Sequence, residues 1–203
     1  MKIIEEKILA IEAGIGDKFQ GGMVIDVVDQ TFQKLAFVKG THPLPSQENF
    51  DFTKKLIDTY SNLTEKDLVL ITTCGGGSVL LEKPHTFSLE DMIAINSALL
   101  DSGATISEMN AIRKHLSQVK GGSLAKILYP ATIANLLFSD VPGNNLSVIA
   151  SGPTVKDQST TAEATTVYEK YNLQGTTPLK PEHFVETPKE DKYFEHISNI
   201  LML

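Results

Sequence analysis

The chain has 203 residues, of which 41% are apolar and 21% charged, enough for one sizeable core at roughly 100–200 residues per domain. Its net charge of −7 argues against non-specific binding to nucleic acid, whose phosphates need a basic surface, and no apolar run approaches the ~20 residues that span a bilayer. Cys74 is the only cysteine, which excludes an intrachain disulfide and a Cys-rich metal site.

Glu5 and Glu6 stand where a secretory leader would be basic and then apolar, so a cytoplasmic location is expected. Gly14-Ile15-Gly16 supplies two of the three glycines of a dinucleotide loop with no helix after it, and reads as a turn. Gly22–Val28 and Leu35–Val38 are short apolar runs that predict strands. His42-Pro43-Leu44-Pro45 must be a loop, because each proline fixes φ and lacks an N–H. A helix is expected from Ser46 to Tyr60, with Phe52, Leu56 and Tyr60 on one face. Asp67–Thr73 is the strongest strand signal and is apolar on both faces, as a buried parallel strand should be.

Cys74-Gly75-Gly76-Gly77-Ser78 follows that strand, and then a helix opened by Ser88 with Asp91 three residues on. Thr105 and Glu108 make a second capping box, for a helix expected to turn Ile106, Met109 and Ile112 inward. Gly121-Gly122 breaks that run, and a short helix reaches Leu128. Thr132–Phe138 predicts another buried strand, Thr161–Tyr171 a helix, and Asp191–His196 a further helix. Ser198–Leu203 reads as the beginning of a strand inside which the sequence stops. Strand and helix signals alternate, which favours a parallel sheet with helices on its faces.

Ligands bind outside the carboxyl ends of strands in open α/β sheets, so the loops after Thr73 and Phe138 are the places to look. Gly75, Gly76 and Gly77 let the backbone turn with positive φ and expose N–H groups, a nest that can cradle phosphate, with the Ser78 hydroxyl beside it. A tight turn without a ligand is the competing reading, and the Walker A pattern is absent. Asp140 sits where a carboxylate could accept a hydroxyl proton or hold nucleotide-bound magnesium, or could form an Asx turn with Gly143. Asn110, Arg113 and Lys114 fall three or four apart and share a side of their helix, either as a solvated face or as ligand-binding groups. Lys120 beside Gly121 and Gly122 can reach an anion, and Ser151-Gly152-Pro153-Thr154 is a rigid loop or a plain turn. The histidines show no metal spacing; His42, before Pro43, reads as structural.

Six segments in this order carry a resemblance: Gly40–Pro45, Cys74–Leu81, Gly103–Ser117, Lys120–Ala125, Ser139–Gly143 and Ser147–Thr154. The series resembles the amino-terminal domain of glycerate 2-kinases that carry a MOFRL domain, several of which have been called hydroxypyruvate reductases. The resemblance implies a Rossmann-like three-layer αβα domain with a mostly parallel sheet, here incomplete and without the second family domain. It implies phosphoryl transfer from Mg·ATP to the 2-hydroxyl of glycerate or a related 2-hydroxy acid, by a truncated or split enzyme.

In that reading Gly75, Gly76, Gly77 and Ser78 bind phosphate. Asn110, Arg113, Lys114, Gly121 and Gly122 bind the acid. Asp140 and Lys120 are catalytic, and Asp140 also meets Mg2+. The missing kinase segments are expected as a separate chain, with no nucleic acid and no membrane as partner. Two departures accompany the resemblance. The family's glycine-lysine turn has no counterpart before Gly22, and the second domain, which contributes to the family's cleft, is not reached in a sequence about half the family's length. Cys74 and Val79 also stand where serine and alanine are usual, a milder change. The alternatives are a nicotinamide-dependent hydroxypyruvate reductase, disfavoured by the lack of a full G-x-G-x-x-G fingerprint, and a non-catalytic remnant that binds a small acid or a partner.

Overall fold

Parallel strands and helices alternate along the chain as the hydrophobic pattern predicts. The computed structural model describes residues 2–139 and 144–202. Helix α1 (Lys2–Ile15) and a 3-10 turn at Gly16–Lys18 precede β1 (Gly22–Asp26) and β2 (Leu35–Lys39), which pair in parallel. After α2 (Gln47–Tyr60) come β3 (Leu68–Thr73), the single turn α3 (Gly77–Leu80), α4 (Leu89–Asp101), α5 (Ile106–Leu116) and α6 (Ser123–Leu128). β4 (Thr132–Phe138), α7 (Thr161–Lys170) and β5 (Ile197–Met202) follow. β3, β4 and β5 lie side by side in that order, all parallel, with Leu68 opposite Thr132 and Ile133 opposite Ile197. The α/β class with parallel sheets is thus observed. No helix among the described residues is long and apolar enough to cross a membrane.

Two clusters hold these elements together. Met92, Ile95 and Leu99 of α4, Ile112 and Leu116 of α5 and Ala164 and Val167 of α7 bury one another, and α5 and α7 are the helices that meet most closely. Leu56, Ile57 and Tyr60 of α2 and Leu124 and Leu128 of α6 cover Val69, Ile71 and Ile133 on one face of the three-stranded sheet. The other face carries Leu68 and Ile200, which are 70% and 44% exposed. The expectation that β3 is buried on both faces therefore fails. β3 is an edge strand paired only with β4, and its even-numbered residues point away from α2 and α6.

Local chemistry sets the helix starts. Ser88 with Asp91, Thr105 with Glu108 and Thr160 with Glu163 each form a reciprocal capping box, which satisfies amide donors that a helix N-terminus leaves orphaned. Two expected helices differ. Ile106 is 49% exposed rather than inward, because it sits at the first position of α5, before the helix reaches α4 and α7. Asp191–His196 shortens to a 3-10 turn at Asp191–Tyr193, since β5 begins at Ile197 and leaves no room for a full helix. α1 lies outside the expected elements, although Ile4, Ile8, Ile11 and Ile15 recur at helical spacing. Its Glu12 accepts the N–H groups of Gln33 and Lys34 and so anchors α1 to the approach to β2.

Glu108 does more than cap. Its carboxylate takes Lys170 Nζ at 2.6 Å from α7, Tyr171 Oη at 3.0 Å and the Thr105 N–H at 2.8 Å. Led by the Lys170 bond, these hold its pKa down, from 4.5 to about 2. A carboxyl depressed in the folded state contributes stability above its unfolded pKa and loses it as pH falls. The clamp is therefore fully present above pH 4.5 and fades between there and about 2. Glu108→Gln is expected to be less stable at pH 7 and to lose less of its melting temperature between pH 5 and pH 3 than the parent, as followed by circular dichroism.

One polar network crosses the buried sheet face. Asn135 of β4 accepts from Thr73 Oγ1 at 2.9 Å and donates to Thr154 Oγ1 at 2.8 Å and to Asn199 Oδ1 at 3.1 Å. It binds the end of β3 to β5 and to the loop after residue 152, and it is fully buried. Asn135→Ala leaves the partners of a buried amide unsatisfied, so a loss of about 1–3 kcal/mol is expected in urea denaturation.

Candidate functional site

β3 ends at Thr73, and the chain turns through Cys74-Gly75-Gly76 into α3. Gly76 has φ +82°, a left-handed conformation that costs a residue with a side chain. A Cβ at Gly76 would lie 3.4 Å from His42 Cδ2, and one at Gly77 only 2.7 Å from Ala150 Cβ. The glycine turn is therefore sandwiched between His42 and the loop 149–152.

That second loop is strained. Ala150, Ser151 and Gly152 all have left-handed φ, at 49°, 60° and 61°, and a side chain in that region costs roughly 1–2 kcal/mol per residue. Such strain concentrates at functional sites. Here it aims a buried hydroxyl. Ser151 Oγ donates to Asn110 Oδ1 at 3.0 Å and meets Ser78 Oγ at 3.0 Å. With the Ser151 proton given to Asn110, Ser78 is the donor to Ser151. One hydroxyl thus joins Ser78, at the end of the glycine turn, to Asn110 of α5.

Gly121 and Gly122 reach the same loop from the other side. Their N–H groups donate to the carbonyls of Ser151 and Gly152 at 3.0 and 2.8 Å. Both donors are engaged in pinning the strained loop, so their part in the site is to hold it in place.

The cations of α5 divide. Lys114 lies one turn beyond Asn110, is 6% exposed, and donates to Asp157 Oδ1 at 2.9 Å. Asp157 is held in turn by Ser159 Oγ at 2.7 Å and Thr187 Oγ1 at 3.2 Å. Burial pushes the Asp157 carboxyl up, but the Ser159 hydroxyl and Lys114 outweigh it and leave its pKa below the ordinary value. Arg113 does not share that side, contrary to the simple spacing. Its Nε donates to Asn96 Oδ1 of α4 at 2.8 Å, which sends the guanidinium toward Glu82. Burial lowers its pKa and Glu82 opposes that.

Lys120 is the largest fully buried side chain, 1% exposed. Its ammonium pairs with Glu82 Oε2 at 2.8 Å and donates to the Leu81 carbonyl at 3.0 Å. Burial pushes its pKa down, against the opposing pull of Glu82. Among the described residues Glu82 Oε1 and Asn110 Nδ2 are buried without a hydrogen-bond partner. Asp140 lies outside the described residues.

Between α5 and residues 145–159 opens a cleft of about 180 Å³, lined in part by Ser107, Asn110, Lys114, Ser147, Asp157 and Ser159. Asp157 and Glu82 escape a sequence reading because each is a lone acid beside a lysine, Lys156 and Lys83, like any surface carboxylate. Only the requirement that buried Lys114 and Lys120 find partners points to them. No group of three carboxylate, imidazole or thiol side chains that could hold a metal exists among the described residues.

Residues 6–185 match the family model described as a domain of unknown function, DUF4147. Over 190 residues the chain is 39% identical to D-glycerate 2-kinase of Thermotoga maritima, covering 92% of this chain and 44% of that protein. It is also 44% identical over 141 residues to a putative hydroxypyruvate reductase of Agrobacterium vitis, covering 69% of this chain and 32% of that protein. The crystal structure of glycerate kinase from Thermotoga maritima superposes with a TM-score of 0.85 at 37% identity, over 95% of this chain and 47% of that one. The chain thus spans less than half the length of these relatives.

Proposed function

Because this chain belongs to the DUF4147 family, the amino-terminal domain of glycerate 2-kinases, we propose that it serves ATP-dependent phosphorylation of glycerate at the 2-hydroxyl. The observation that carries the reading is the bond series from Ser78 through Ser151 to Asn110. It fixes a glycine turn and a polar helix face against each other, as a phosphoryl donor and an acceptor must be. Phosphoryl transfer depends on positioning and charge neutralisation more than on covalent chemistry, and this arrangement is suited to positioning.

ATP supplies the phosphoryl group, and the Mg2+ it carries neutralises charge on the phosphates. The turn at Gly75, Gly76 and Gly77 suits the close approach of a phosphate because its three residues carry no Cβ of their own. Asn110 and Lys114 face the acid. Gly121 and Gly122 hold the loop that aims Ser151. Lys120 acts as a positioning residue, since its ammonium is occupied by Glu82 and lies beside the segment that follows α3. A carboxylate for Mg2+ would come from Asp140, and among the described residues no cluster replaces it. Segments equivalent to the rest of the relatives' length would complete the cleft, in the same or a separate chain.

The test is a thermal shift of the 203-residue chain with Mg·ATP, with NADH, and with neither. Binding to the folded state raises stability by about 2.7 kcal/mol at a hundredfold excess over Kd. A rise with Mg·ATP alone is expected; a rise with NADH alone would sink the kinase reading in favour of a reductase. Turnover is then measured as ADP release on glycerate, with the chain alone and mixed with the remaining half of the Thermotoga relative.

A further inference from the structure

Residues 184–190 form neither helix nor strand, so side chains rather than a backbone ladder fix their path. The Val185 N–H donates to the His115 carbonyl at 2.8 Å, and Glu186 Oε1 lies 3.1 Å from His115 Nε2. Both contacts tie this strap to the last turn of α5. Residues 186–189 stand outside the lining of the cleft. They nevertheless hold the turn at residues 157–159, which forms part of its wall.

Lys189 makes the hold. Its Nζ donates to the carbonyls of Asp157 at 3.0 Å and Ser159 at 2.6 Å and to Thr187 Oγ1 at 2.7 Å. These bonds use all three protons of the ammonium, and Glu186 Oε1, 3.3 Å away, balances its charge. With a proton received from Lys189, the buried Thr187 hydroxyl gives its own to Asp157 Oδ2 at 3.2 Å. Lys114 Nζ meets Asp157 Oδ1 at 2.9 Å. One buried carboxylate is thus gripped by two lysines, one directly and one through a hydroxyl.

A lysine with 35% of its side chain exposed ordinarily keeps its rotamers free, because fixing them costs entropy. Here two bonds go to main-chain carbonyls on either side of Gln158. They set the conformation of the turn and, with it, the direction in which Asp157 projects. Lys114 follows, since a flexible four-carbon stem takes its place from its partner. Lys156 offers the contrast. It precedes Asp157 and has the same side-chain exposure, but its ammonium turns to the exposed Asp191 at 2.6 Å.

We propose that Lys189 and Thr187 are positioning residues, which fix Asp157 from outside the cleft and so set where the Lys114 ammonium stands. The consequence for turnover rests on the kinase reading, in which Lys114 faces the acid.

The experiment follows the Cε and Nζ resonances of Lys114 by NMR in the 203-residue chain, since Lys114 bonds to Asp157 rather than to either variant site. It is paired with KM for glycerate in the reconstituted assay. Lys189→Met and Thr187→Val are each expected to shift both resonances and to raise KM at least about fivefold with kcat within about twofold, because lost ground-state binding appears in KM alone. Thr187→Ser, which keeps the hydroxyl, is expected to restore the parent values. Lys156→Met removes the same charge beside Asp157 and is expected to change neither.

Thr187→Val carries the test on its own if Lys189→Met does not fold, since it keeps the side-chain shape and alters no charge. A lower melting temperature with the Lys114 resonances unmoved would leave the strap a merely structural part and overturn the proposal. Equal shifts in Lys156→Met, or moved resonances with unchanged KM in an active assay, overturn it too. The kinase reading fails separately. If the reconstituted assay gives no ADP while the Lys114 resonances move as expected, the grip of the strap on Lys114 stands without it.

Discussion

Lys120→Met is expected to destabilise the chain by about 3–5 kcal/mol, because it leaves the Glu82 carboxylate buried and uncompensated. Both partners are almost wholly removed from water, at 1% and 4% side-chain exposure, and their contact is 2.8 Å. The loss is not a measure of what the pair contributes. Bringing two charges out of water costs nearly as much as their attraction returns, whereas removing one exposes the whole desolvation cost of the other.

The double variant Glu82→Gln with Lys120→Met is therefore expected to recover most of the loss in urea denaturation. Against a total stability of 5–15 kcal/mol for a typical domain, the single change approaches the unfolding limit. The double variant also separates two roles for Lys120. If Lys120 is a positioning residue, a melting shift with Mg·ATP survives in the double variant. If its ammonium leaves Glu82 to touch a phosphate, the shift disappears while the fold remains.

The alternation of strands and helices was readable because each signal is local. β4 shows a period of two in burial, the Thr105–Glu108 box opens α5, and glycines follow β3 at its carboxyl end. The exposure of Leu68 was not readable, since the pattern of a strand does not say whether a helix covers its second face. The site divides along the same line. Glycine turns and a polar helix face can be seen in sequence, but which cation meets which acid depends on contacts 38 to 43 residues apart, as for Lys120 with Glu82 and Lys114 with Asp157. The spacing of Arg113 and Lys114 suggested a shared side. Being neighbours in a helix, they diverge by about 100°, and α4 claims one while Asp157 claims the other.

Gly121→Ala carries the second large effect, about 2–4 kcal/mol. At φ +56° a side chain pays roughly 1–2 kcal/mol in backbone strain. Its Cβ would also lie 2.8 Å from Thr187 Cγ2, 3.2 Å from Lys114 Cβ and 3.4 Å from Asp157 Cβ, and overpacking of this kind costs typically 1–3 kcal/mol. A stiffer unfolded chain returns about 0.4–1 kcal/mol. Gly103→Ala separates these contributions. Gly103 has φ +73° but nothing within 4 Å of an added Cβ, so its cost is strain alone, about 1 kcal/mol after the same offset.

The difference between the two variants in urea denaturation then measures the crowding at Gly121. That crowding falls on Lys114 and Asp157, the two charges that flank the cleft, and on Thr187, which holds Asp157 in place. Gly121→Ala is accordingly expected to disturb the Lys114–Asp157 contact as well as stability, whereas Gly103→Ala lowers stability and leaves that contact unchanged. Equal losses of stability in the two variants would mean that the packing around Gly121 yields freely, and the cleft could not then be as rigid as the Lys114–Asp157 contact requires.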